Sequence, residues 1–132
     1  MNIIFCLDDK NGICFNKRRQ SRDKAVCERI LEIVGSKTLR MSEESAKLFE
    51  KSNIKAENNF LENAQKGDYC FAENGDFTKY CDKFEKAIIY RWNRTYPSDV
   101  KINTDFLKTK SRVSVTDFEG NSHQKITEEI YE

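Results

Sequence analysis

The chain has little of what marks several common protein classes. Its 132 residues hold one proline, five glycines and one histidine. Such a scarcity of turn-formers, with no low-complexity tail, argues against a disordered or collagen-like polymer. No apolar run approaches the roughly 20 residues that a bilayer span needs. The opening run Ile3-Ile4-Phe5 stops at Asp8-Asp9, too soon for a signal peptide. A charge imbalance is missing as well: 23 basic and 22 acidic side chains leave +1. The whole-protein electrostatic drive towards nucleic acid or an anionic membrane is thereby removed, and neither is an expected partner. The five cysteines are odd in number and form no C-x-x-C pair. This predicts reduced thiols in a cytoplasmic setting rather than a disulfide framework. Cys27, just after a basic segment, has the best claim to a reactive thiol, set against ordinary burial.

What is present is a core. Hydrophobic residues make up 38%, with nine Phe and five Tyr, enough for a single domain over residues 1–132. Residues 2–7 (NIIFCL) read as a buried strand, closed by Asp8-Asp9-Lys10-Asn11-Gly12. Ser21 is a candidate N-cap for a helix carrying Val26, Ile30, Ile33 and Val34, with Gly35 at its end. A brief strand over 38–41 precedes a helix from Ser42 through Phe49. A strand around Ile54 within 52–58, a helix over 59–65 and a strand over 68–72 follow. The turn Glu73-Asn74-Gly75 opens a helix through Cys81, and residues 87–92 (AIIYRW) form the strongest strand signal. Residues 112–118 and 125–131 alternate around Gly120-Asn121 as a hairpin. This order predicts an α/β domain, a mostly parallel mixed sheet between helices with an antiparallel C-terminal edge.

The most unusual stretch is Asn16-Lys17-Arg18-Arg19-Gln20-Ser21-Arg22-Asp23. Four cations run into a helix start, where backbone N–H groups already favour an anion, and arginine adds planar donors. The competing reading is a solvated loop neutralised by Asp8, Asp9 and Asp23. Asp23 could accept from a heterocycle, or cap the helix and pair with Arg19 or Lys24. Asp8 stands where open α/β sheets bind ligands, yet suits simple turn chemistry equally. Arg91 and Trp92, with Tyr90 and Tyr96 nearby, could grip a phosphate and stack a base, or pack in the core. His123, in a polar turn, is expected to be exposed.

Several local matches resemble dihydrofolate reductase: the first strand with Asn11-Gly12-Ile13, Asp23 in the first long helix, residues 76–92, Asp99, and the hairpin 113–131. The resemblance runs nearly end to end, shortened around 50–67, and implies that family's three-layer fold, with Asp23 as the substrate carboxylate. Where the family holds NADPH phosphates, this sequence has Ser42-Glu43-Glu44 and Glu73-Asn74-Gly75, which bring carboxylates. No cofactor, metal or catalytic residue is therefore expected. A looser resemblance, to small proteins bearing the name ribonuclease Z, lacks the histidine cluster that a two-zinc site needs. The sequence points to non-catalytic sensing or sequestration of a small anionic, phosphate-bearing or nucleotide-like ligand. Expected ligand contacts are Asp8, Asn16, Arg18, Arg19, Gln20, Ser21, Arg22, Asp23, Arg91 and Trp92. An NADPH-dependent reductase of a pteridine-like or nucleotide-like substrate, and an RNA- or protein-binding adaptor, stay open as alternatives, as does a homo-oligomer.

Overall fold

The computed structural model describes residues 1–50 and 53–132. The chain runs β1 (Asn2–Leu7), β2 (Gly12–Phe15), β3 (Arg18–Arg19), α1 (Lys24–Val34), β4 (Leu39–Met41), α2 (Glu43–Ala46), β5 (Ile54–Ala56) and α3 (Phe60–Asn63). It continues with β6 (Tyr69–Phe71), a 3-10 segment (Gly75–Lys83), β7 (Lys86–Arg91), β8 (Val100–Lys101), a second 3-10 segment (Thr104–Thr109), β9 (Arg112–Phe118) and β10 (Ile126–Tyr131). Seven strands form one sheet in the order β5-β4-β6-β1-β7-β10-β9. Pairings from β5 to β7 are parallel, and β10 pairs antiparallel with both β7 and β9. The expected mostly parallel sheet with an antiparallel edge is what the chain forms.

Alternation along the central strands splits the core into two layers. On one face Ile4, Ile88 and Tyr90 meet Val26, Ile30 and Val34 from α1. On the other, Ile3, Phe5 and Ile89 pack under the 3-10 segments, with Phe5 and Phe77 ring centroids 4.7 Å apart. Tyr90 and Trp92 join the α1 layer and are buried in it. No described helix is long and apolar enough to cross a membrane.

Several expectations need correction. Ser21 does not cap α1. Asp23 does, its side chain accepting from the Ala25 N–H, and the helix begins two residues later than the Ser21 cap implied. Gly35 closes α1 with φ 59°, as expected of a left-handed terminus. The second helix shrinks to Glu43–Ala46 behind its Ser42 cap, and the predicted 75–81 helix is a 3-10 segment. The strand around Ile54 forms, although residue 52 of the predicted range lies outside the described residues. A second, three-stranded sheet, β3-β2-β8, went unread in the sequence. Its strands have two to four residues, too short for alternation to register.

Candidate functional site

The parallel strands end together, and Asp8, Ser42, Glu73 and Trp92 follow four of those ends. That edge is where open α/β sheets place their ligands. Across it lies the β2–β3 hairpin, turned by Asn16 (φ 55°) and Lys17 (φ 63°) in left-handed conformation. Two consecutive positive φ values match the tight turn whose twist suits a hairpin, and asparagine tolerates the first readily. The hairpin therefore projects Lys17 and Arg18 outward instead of continuing into the helix.

Beneath it lies a cleft of about 600 Å³. Lys17, Arg18 and Arg19 form one wall, Ser42, Glu44 and Ser45 another, and Phe60, Glu73 and Asn74 complete the lining. Arg19 is held as a two-pronged pair by Glu73, with Nε to Oε2 at 2.7 Å and Nη2 to Oε1 at 3.0 Å. The Ser45 hydroxyl donates to Glu73 Oε1 at 2.7 Å, so this carboxylate is fixed from two sides. Glu44, exposed, pairs with Lys47. Lys17 and Arg18 are exposed and form no ion pair among the described residues. A second hollow of about 340 Å³ shares Ser42, Phe60 and Asn74 and extends the cleft towards Asn59 and Lys79.

The other half of the basic stretch goes elsewhere. Asp23 is fully buried at its side chain and accepts from Ala25 and Asn121 N–H on Oδ1, at 2.9 and 2.8 Å. Its Oδ2 takes the Ser122 N–H at 2.9 Å and His123 Nδ1 at 2.8 Å. Burial alone pushes this carboxyl up, but the bonds from Asn121, His123, Ser122 and Ala25 outweigh it and hold the pKa at about 2. His123 is buried, against expectation. Its Nε2 lies 2.8 Å from the Tyr96 hydroxyl and 3.2 Å from that of Ser21. Its ring stacks on Trp92 at 4.6 Å between centroids. The anticipated pairing of Asp23 with Arg19 or Lys24 does not form; a hairpin tip about a hundred residues away supplies the partners instead.

The remaining expected contacts disperse. Gln20 donates to Asp8 Oδ2 at 2.9 Å, and Asp8 also takes the Lys10, Gly12 and Tyr96 N–H groups, so it fastens the turn after β1. Arg91 donates to Asn11 Oδ1 at 2.7 Å on the sheet face away from Trp92. Asn16 gives its N–H to Asp99 at 3.1 Å. Arg22 is exposed beside a separate hollow of about 420 Å³, with Lys24 and Cys27. Burial, then the Glu73 charge, pushes the Cys27 thiol up to about 11, so it is neutral near pH 7 and not an activated thiolate. No group of three or more metal-ligating side chains occurs among the described residues.

Sequence reasoning thus gathered in one place residues that fold into two. It also missed Ser45 and Phe60 as parts of these sites, along with the buried state of His123. Only a buried-type environment around the single histidine could have marked it, and its neighbours in sequence are polar.

No family model matches this chain, and no curated protein matches it. Among solved structures, the dihydrofolate reductase from Enterococcus faecalis, complexed with NADP(H) and RAB-propyl, superposes with a TM-score of 0.70. The match covers 98% of this chain and 94% of that one at 8% identity. An identity so low carries the likeness of fold alone. The chain has a dihydrofolate reductase-like fold.

Proposed function

We propose that this protein is a non-catalytic binder of a small phosphate-bearing or nucleotide-like ligand, held in the cleft beneath the β2–β3 hairpin. The observation that carries the reading is the pair of exposed cations, Lys17 and Arg18, which form no ion pair among the described residues, at the rim of a 600 Å³ cleft. A phosphate at that rim meets an ammonium and a guanidinium, and the guanidinium offers parallel donors. Phe60 offers an aromatic surface to a base, while Glu44 and Asn74 offer acceptors to ring N–H or amino groups. The chain would then sense or sequester its ligand without transforming it.

The residues do not fit the dinucleotide that the fold family implies. Glu44 and Glu73 both line the cleft, and Arg19, the cation deepest in it, is spent on Glu73. A diphosphate laid along the cleft sets its negative charge beside these carboxylates, while the nearby cations are already paired, Arg19 with Glu73 and Lys47 with Glu44. A single phosphate at the Lys17–Arg18 rim avoids both. Asp23 is also fully engaged by its own chain and has no accepting edge for a substrate.

The test is calorimetric titration with inorganic phosphate, nucleoside monophosphates and NADPH, each on wild type and on a Lys17→Ala, Arg18→Ala double variant. Saturable binding of a monophosphate, weakened tenfold or more in the variant with an unchanged melting temperature, is expected. Absence of binding to every probe at millimolar concentration sinks the reading. The second reading, an NADPH-dependent reductase, draws on the likeness of fold to a dihydrofolate reductase complexed with NADP(H). Oxidation of NADPH with a pteridine or nucleotide substrate would favour it.

A further inference from the structure

Gln20 turns its amide nitrogen to Asp8 Oδ2 at 2.9 Å and to the Pro97 carbonyl at 3.4 Å. Both partners are acceptors, so the nitrogen is fixed in place and the amide oxygen Oε1 lies on the opposite side. That oxygen is buried and accepts no hydrogen bond from any described residue. It stands out among the described residues, whose other buried side-chain polar atoms all have partners. An acceptor in this condition calls for a donor, because burial without one forfeits the hydrogen bond that water gave it.

Gln20 also lines a narrow void between the 19–21 segment and the sheet, with about 10 Å³ of room for the centre of a water molecule. Cys6, Phe71 and Trp92 give the void apolar walls, while Ser21 and Glu73 contribute polar groups. Burial raises the Cys6 thiol well above its usual range, so no thiolate competes there. We infer that this void is a binding site for one ordered water molecule, which donates to Gln20 Oε1. Its other proton and lone pairs meet the Glu73 carboxylate and the Ser21 hydroxyl, the two to four polar partners that a buried water needs. The room excludes an organic ligand. The water fastens the 19–21 segment to the sheet from beneath, as Asp8 does from the side. This inference stands apart from the ligand reading and survives its failure.

Two measurements on the free protein test it. A high-resolution crystal structure is expected to show solvent density at about 2.5–3.0 Å from Gln20 Oε1. In isotopically labelled protein, a water–protein cross-relaxation peak of long-lived sign is expected at the Gln20 side-chain amide or the Ser21 N–H. Gln20→Met keeps the length and removes the acceptor, and the density should then vanish while the amide spectrum stays folded. Persistence of the density in that variant overturns the assignment to Gln20. Should the variant not fold, the wild-type measurements decide alone: absence of both signals overturns the inference.

Discussion

Asp23 and Glu73 are both acidic side chains on the side of the sheet where the parallel strands end, and each is held by several donors. Their surroundings differ in what is left over. Asp23 is completely buried, and its donors are three backbone N–H groups, the Ser122 hydroxyl and His123, itself wedged against Trp92, Tyr96 and Ser21. Every one of those donors is supplied by the chain itself. Glu73 keeps 17% of its side chain exposed and faces a cleft whose rim carries Lys17 and Arg18, without ion pairs among the described residues. One carboxylate closes a structure, and the other borders a space. Here the acidic residue at the head of α1 fastens the helix to the hairpin tip, and the open space lies on the β2–β3 side.

That contrast can be broken by mutation. The largest effect is expected from Asp23→Ala, which strands the His123 ring and two backbone N–H groups and removes the α1 cap. Urea unfolding should show a loss of about 4 kcal/mol. Gly120→Ala attacks the same knot from the hairpin tip. A Cβ there would sit 2.6 Å from Asp23 Oδ2 and 2.8 Å from the His123 carbonyl oxygen, so backbone must yield. A cost of about 2 kcal/mol is expected in the same assay.

Acid should find the knot too. The folded pKa of Asp23, about 2, lies below its ordinary 3.8, so its contribution is complete above pH 4 and is lost as pH falls towards 2. The depression corresponds to about 2 kcal/mol. Asp8 and Asp68 are also lowered and add in the same direction. Stability measured against pH should fall across this window, and Asp23→Asn should flatten the fall.

Smaller effects sharpen the other side of the comparison. Glu73→Gln frees Arg19 while leaving a partial acceptor, at about 1 kcal/mol of stability. It should tighten phosphate binding, since the cleft gains a free cation; weaker binding would show that Glu73 itself contacts the ligand. Lys17→Ala and Arg18→Ala should each change stability by less than about 0.5 kcal/mol, as exposed sites do. Their cost should appear in binding alone.

Much of this architecture was legible before any coordinates. NIIFCL and AIIYRW announce the central parallel pair because strands buried on both faces need unbroken apolar runs. Val26, Ile30 and Val34 repeat with the helical period and do form the buried stripe of α1. The C-terminal hairpin showed through its alternation. The candidate site was legible only as a list. The 16–23 stretch looked like one cationic nest, yet it turns at Asn16-Lys17, crosses the sheet end, and distributes its side chains to partners on different elements. Arg19 meets Glu73 across 54 positions, and Asp23 meets His123 across a hundred. A local reading weighs neighbours in sequence, and none of these partners is one.

The sequence by itself determined which segments build the main sheet and α1, and so the layered α/β domain, because burial follows patterns with periods of two and 3.6 residues. It also determined that cations crowd one short stretch. Only the tertiary structure decided which of those charges are spent. Neutralisation depends on approach within about 3 Å, and chain folding, not sequence distance, brings Glu73 to Arg19 and leaves Lys17 and Arg18 at the rim of the cleft.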